Sequence, residues 1–245
     1  MKKLFGRVSS LITESFAPTF RCLNCGRDVF DGTGFCSDCA KDIVYNNGKT
    51  CKRCGVGIDG EEDYCGNCAF DKIYFDRAYS VFSYEGVIQK AILSMKFNNL
   101  ATHAKVLAKY LVFMANEADL QYDVVTFAPM SKKALRRRHY NQARELAKHF
   151  CNLLEKDNLL VEAIVKTKET QAQEQLNKSE RKTNLVGAYK INADVKGKRV
   201  LVIDDVKTTG ATLNECAKVL KHAGATAVYC LTVAARKEHF NYEQD

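Results

Sequence analysis

The chain has 245 residues, with 37 Lys plus Arg against 29 Asp plus Glu for a formal net charge of +8, and 46% of its residues are hydrophobic. That composition excludes a wholly disordered chain, and the 14 glycines follow neither a three-residue period nor a heptad array, which excludes collagen and coiled coil. No run approaches the roughly 20 apolar residues that cross a bilayer, so no membrane insertion is expected, and the positive charge suits either an anionic partner or plain solubility.

Residues 1–21 read as a lead-in with a short amphipathic helix. Lys2 and Lys3 form a basic head, but Arg7, Ser9, Ser10, Thr13 and Glu14 interrupt the apolar stretch of an export signal. A cytoplasmic, reducing setting is therefore expected.

Eight of the 11 cysteines then fall in four CxxC pairs over residues 22–70: Cys22 and Cys25, Cys36 and Cys39, Cys51 and Cys54, Cys65 and Cys68. Close thiol pairs in a reducing compartment point to metal and not to disulfides. Two CxxC turns complete a closed tetrahedral four-cysteine site, so four pairs predict two structural Zn2+ ions. CLNCGRDVFDGTGFCSDC and CKRCGVGIDGEEDYCGNC form an internal repeat, each copy laid out as a zinc ribbon. Sequential pairing accounts for the repeat better than interleaved pairing, which stays open at this point. So few large aliphatics in this segment make the metal a main source of its folding free energy. Gly55, Gly57 and Gly60 spell GxGxxG, but they lie between two knuckles where no strand-to-helix turn is expected, so the motif carries no dinucleotide site.

A second domain is expected over residues 71–245. Ile73–Tyr84 reads as strand, Gly86–Phe97 and Leu100–Asn116 as helices, and Asp123–Ala128 as a buried strand closed by Pro129. A helix over Tyr140–Leu154, a strand over Leu160–Val165 and a polar, mobile loop over Lys166–Asn184 follow. The last elements are a strand over Arg199–Ile203, a helix over Thr209–Ala223 and a strand over Ala227–Val233. Strands separated by helices predict an α/β fold with a parallel sheet. The remaining cysteines, Cys151, Cys216 and Cys230, fall on or beside core positions and are expected to pack.

In such a sheet, ligands bind beyond the carboxyl ends of the strands. After RVLVI come Asp204, Asp205, Val206 and Lys207, and then Thr208, Thr209, Gly210, Ala211 and Thr212 open a helix. Small residues around a glycine let successive N–H groups close on a phosphate at a helix N-terminus. Two carboxylates beside that cradle suit sugar hydroxyls or a Mg2+-bound ligand, which describes a ribose 5-phosphate site.

VLVIDDVKTTGAT resembles the signature of type I phosphoribosyltransferases, which bind 5-phosphoribosyl 1-pyrophosphate (PRPP). With the paired knuckles, the chain from about Arg21 onward resembles the ComF (ComFC) family of competence-associated proteins. FAPMSKKALRRRHYNQARELA, QAQEQLNKSERKTNLVGAY and FSYEGVIQKAILSMKFNN resemble three further stretches of that family, through Pro129, Ser131, Arg137, Arg138, Tyr140, Asn141 and Gln142, through Gln173, Leu176, Arg181 and Asn184, and through Lys96 and Phe97. His139 stands where the family usually has glycine, at a position expected to need φ > 0.

The resemblance implies a type I phosphoribosyltransferase fold with a small zinc-ribbon domain. It makes Asp204 and Asp205 the catalytic pair that holds the ribose hydroxyls, puts Thr208–Thr212 on the 5-phosphate and counts Lys207 among the PRPP-binding residues. It brings Pro129, Met130 and Ser131 to the pyrophosphate, with charge from Arg137 or Arg138, and Mg2+ held mainly by PRPP and water. Two functions follow: phosphoribosyl transfer to an unidentified acceptor, or a non-catalytic adaptor that senses PRPP while contacting single-stranded DNA or a competence helicase. For the second, Arg21, Lys52, Arg53, Phe20, Phe35 and Tyr64 are the candidate contacts. The sequence names neither the acceptor nor the oligomeric state.

Overall fold

Residues 21–58, 60–97, 102–169, 185 and 187–236 are described in the computed structural model. The lead-in helix, Phe20 and the stretch containing Gln173, Leu176, Arg181 and Asn184 lie outside the described residues.

Four parallel strands, β1 Arg77–Ser83, β2 Val124–Phe127, β5 Arg199–Lys207 and β6 Ala227–Ala235, form a sheet in the order β1-β6-β5-β2. The near-continuous apolar runs of β5 and β6 reflect burial on both faces. Leu201, Ile203, Leu231 and Val233 point to one side, into a core shared with helices α3 Gly86–Phe97, α4 Thr102–Glu117 and α6 Gln142–Leu153. Val200, Val202, Val228 and Cys230 point to the other, where helix α7 Ala211–His222 contributes Leu213, Cys216, Ala217 and Leu220. Strand β3 Ile164–Lys166 pairs antiparallel with β4 Tyr189–Ile191 in a separate two-stranded sheet on this second side. Cys151, Cys216 and Cys230 are all buried, as expected. No helix among the described residues is long and apolar enough to cross a membrane.

The two cysteine modules pack into different cores. Cys22, Leu23, Val29, Phe35, Cys39 and Ile43 join the core of α3, α4 and α6, whereas Cys51, Cys54, Val56, Ile58, Cys65 and Cys68 join that of α7. The first module is bound to α4 by Lys109 Nζ donating to Gly32 O at 3.0 Å and Tyr110 Oη donating to Thr33 O at 2.9 Å. Gly34, at φ +81°, sits so close to α4 that a Cβ there would run into Val106. Burial against the helices thus adds to the metal as a source of order in these short segments. Two short helices, α1 Ser37–Lys41 and α2 Gly66–Phe70, begin directly after Cys36 and Cys65.

Several elements differ from the sequence expectation. The strand expected from Ile73 begins only at Arg77, because the preceding residues are held by a helix side chain: Asn214 Oδ1 accepts from Tyr74 N at 2.7 Å and its Nδ2 donates to Lys72 O at 2.9 Å. The strand over Arg199–Ile203 continues through the acidic pair to Lys207, which pairs with Ala235. Leu160–Val165 is not a strand of the main sheet; Leu160 makes only a parallel bridge to Val125, and the strand proper is the antiparallel β3. Helix α5 Lys132–Arg138 was not expected: it buries no residue, so it has no apolar period to betray it.

Candidate ribose-phosphate site and cysteine centres

Because side chains alternate along a strand, the continuation of β5 sends its two carboxylates to opposite faces. Asp205 faces α3, where Lys96 Nζ lies 3.1 Å from its Oδ2, with both side chains about 11–13% exposed. Burial alone would lower the Lys96 ammonium, but the charge and hydrogen bond of Asp205 reverse the sign and hold it above its ordinary value. Asp204 faces α7. Burial, reinforced by the charge of Asp205, pushes its carboxyl up to about 7, although its Oδ1 accepts a hydrogen bond from Asp205 N at 2.8 Å.

Beyond β5 the chain turns through Thr208 and Thr209 to Gly210, which caps α7 at φ +78°. No side chain caps this end, and the bond from Ala211 N to Thr209 Oγ1 is a weak 3.4 Å, so the positive end of α7 suits an anion. A cavity of about 280 Å³ opens here, and Asp204, Asp205, Lys207, Thr208, Gly210, Ala211 and Thr212 all line it. Thr209 lines a neighbouring cavity of about 270 Å³ on the reverse side of the loop. Sequence reasoning had no role for Tyr84 and Arg236, which complete the first cavity, and knew Lys96, its other wall, only as part of a family stretch. Its place beside Phe97 in that family stretch was the one signal available for it.

Pro129, Met130 and Ser131 follow β2, the neighbour of β5, but neither they nor Arg137 and Arg138 line this cavity. Pro129 and Ser131 are buried and Met130 is half-buried. Ser131 caps α5 by accepting from Ala134 N at 3.3 Å, and α5 ends in the exposed Arg136 and Arg137 and the half-buried Arg138. His139 adopts φ +66°, the left-handed conformation anticipated where the family has glycine. Tyr140 Oη donates to Met95 O, tying this segment to α3. Asn141 caps α6 through Ala143 N at 2.9 Å and anchors to Ala128 O at 3.0 Å, so its part in this segment is structural.

The eight paired cysteines form two clusters, Cys22, Cys25, Cys36 and Cys39, and Cys51, Cys54, Cys65 and Cys68, each with its sulfurs within 4.8 Å of one another. Pairing is thus sequential. A tetrahedral zinc with Zn–S bonds of about 2.3 Å has edges of about 3.8 Å. Cys25 Sγ lies 3.7 Å from Cys36 Sγ and Cys54 Sγ lies 3.5 Å from Cys65 Sγ, so the donor sets fit that ion. The first cluster has an exposed Cys25, and the second is buried throughout.

Of the nucleic-acid candidates on these modules, Phe35 is 1% exposed and packs against Tyr110, so it cannot stack on a base. Lys52 pairs with Asp63 at 2.7 Å, and Arg53 lies over the Tyr64 ring.

The sequence matches the Double zinc ribbon domain over residues 12–69 and the Phosphoribosyl transferase domain over residues 134–240. It is 30% identical to the DNA utilization protein YhgH of Escherichia coli K12 over 164 residues, which cover 63% of this chain and 71% of that protein. It is 28% identical to Competence protein F of Haemophilus influenzae Rd over 218 residues, 85% of this chain and 94% of that protein. It is also 40% identical to the orotate phosphoribosyltransferase of Acinetobacter baylyi over 62 residues, 25% of this chain and 29% of that protein. With a helix-flanked parallel sheet of the type I phosphoribosyltransferase kind behind two four-cysteine ribbons, the chain belongs to the ComF family, which includes Competence protein F and YhgH.

Proposed function

We propose that the cavity at the end of β5 binds PRPP with Mg2+ and that the protein transfers the phosphoribosyl group to a nitrogen acceptor. The observation that carries this reading is that the acidic pair and the loop that caps α7 line one cavity at the carboxyl end of a central strand. The loop N–H groups and the helix N-terminus take the 5-phosphate. Asp204 and Asp205 accept hydrogen bonds from the ribose hydroxyls, and Lys96 and Arg236 supply positive charge to the phosphorylated ligand.

Mg2+ suits the oxygen-rich pyrophosphate and the two nearby carboxylates, and when bound it would neutralise charge on the leaving group. In the transfer, the bond from C1 to the pyrophosphate oxygen breaks and its electron pair leaves with pyrophosphate. The acceptor nitrogen forms the new bond to C1 and gives up a proton. The family resemblance assigns Pro129–Ser131 and the basic end of α5 to the pyrophosphate. Competition tests the site: ribose 5-phosphate should displace Mg·PRPP, because both present the same 5-phosphate and hydroxyls. Displacement by pyrophosphate alone, with none by ribose 5-phosphate, would contradict the loop assignment.

The names of the two long relatives support a role in the uptake or use of DNA. One observation favours a second reading, a binding module for single-stranded nucleic acid: Phe30 and Phe70 on the ribbons are 74% and 89% exposed. Binding of an oligonucleotide that weakens steeply with salt supports that reading, and binding absent at low salt removes it.

A further inference from the structure

Two cavities share one wall. The reverse side of the phosphate loop faces the second cysteine cluster, and the cavity between them is lined by Cys54, Cys68, Lys207, Gly210 and Ala211 among others. Lys207 lines this cavity and the ribose-phosphate cavity alike. Its side chain is buried, and its Cε lies 3.4 Å from where a Cβ on Gly210 would sit, so the aliphatic stem supports the loop at its tightest turn. Cys54 and Cys68 of the second cluster stand in the same cavity wall as this lysine.

The cluster it faces is the buried one. Four thiolates around Zn2+ carry a net charge of about −2, and a buried charge needs a compensating partner. The first cluster, with Cys25 exposed, meets part of that need from water; the second, buried throughout, has little access to it. Around the second cluster the chain is held to the same elements: Ala78 N of β1 donates to Arg53 O at 2.8 Å, Asn214 of α7 clamps the segment that leads out of the ribbon, and Arg236 N donates to Lys207 O at 2.9 Å.

We propose that Lys207 is a positioning residue that couples the second zinc site to the phosphate loop, its ammonium balancing the metal–thiolate charge while its stem holds Gly210 in place. This deepens the PRPP reading and rests on it for the ligand. Zinc at the second site, and not at the first, then sets how well the loop receives a phosphate.

The test has two arms on the full chain. In the first, without ligand, Lys207→Met is compared with wild type in competition with a chelator. The second site should lose about 10-fold or more in metal affinity, as loss of an outer-shell partner does, with the first site unchanged and Lys207→Arg recovering most of the loss. In the second, zinc is replaced by 113Cd and Mg·PRPP is added. The resonance of the second cluster should move while that of the first stays, the two being told apart by the line lost in Cys25→Ser. Unchanged metal affinity in Lys207→Met overturns the coupling, as does a second-site resonance that ignores PRPP bound by calorimetry. If calorimetry finds no PRPP binding at all, the functional reading falls with the ligand half of the inference, and the first arm decides the Lys207–metal link alone.

Discussion

Lys96 Nζ of α3 and Asp205 Oδ2 of β5 are 3.1 Å apart in a nearly enclosed setting, joining the helix that follows β1 to the strand that carries the acidic pair. Removing one partner of such a pair strands the other charge and costs about 3 kcal/mol. Lys96→Met should therefore lower the melting temperature clearly, and Lys96→Met/Asp205→Asn should recover much of the loss. The folded-state value of Lys96 is raised, so its contribution is complete below the ordinary lysine value and is lost only in strongly alkaline solution. Additive losses in the double variant would show that the pair is not coupled.

Asp204 gives the opposite pH signature. A carboxyl raised to about 7 in the folded protein keeps its proton there while the unfolded chain releases it, so stability falls as pH rises from the ordinary aspartate range towards 7 and levels off above. Asp204→Asn should remove this slope and gain relative to wild type at pH 8 compared with pH 5. Parallel stability curves for the two proteins would place the Asp204 carboxyl in an ordinary environment.

His139 carries a left-handed backbone at the end of α5. A non-glycine residue in that region costs about 1 kcal/mol. His139→Gly should stabilise the fold by about that much and His139→Val should destabilise it, as read by chemical denaturation. Equal stabilities would mean that the turn is not strained by its side chain.

Metal analysis of protein prepared without added zinc should return about two ions per chain. Cys65→Ser should lower the melting temperature more than Cys25→Ser, because Cys65 is buried and Cys25 is exposed. A stoichiometry near zero in folded protein would end the ribbon assignment.

What the sequence disclosed was local. The CxxC spacing gave the clusters, and Asp204 through Thr212 gave a strand, loop and helix start, because those signals sit within a few residues of one another. Three-residue β4 and α5, which buries no residue, lack the length or the apolar period that a pattern can register. The Lys96–Asp205 pair, the Asn214 clamp on Lys72 and Tyr74, and the contribution of Arg236 join segments far apart in the chain, and the fold alone brings them together. That β5 runs on to Lys207 was hidden by its acidic residues, whose low strand propensity is overridden by pairing with β6.

The central claim is that Asp204, Asp205 and the following loop form a PRPP site. Calorimetric titration of Mg·PRPP into the zinc-loaded protein, beside Asp204→Asn/Asp205→Asn, tests it most directly. Saturable binding to the wild type that the double substitution abolishes, with both proteins folded and carrying two zincs, is the predicted result. No binding to the wild type, or binding that survives the double substitution, would contradict the claim.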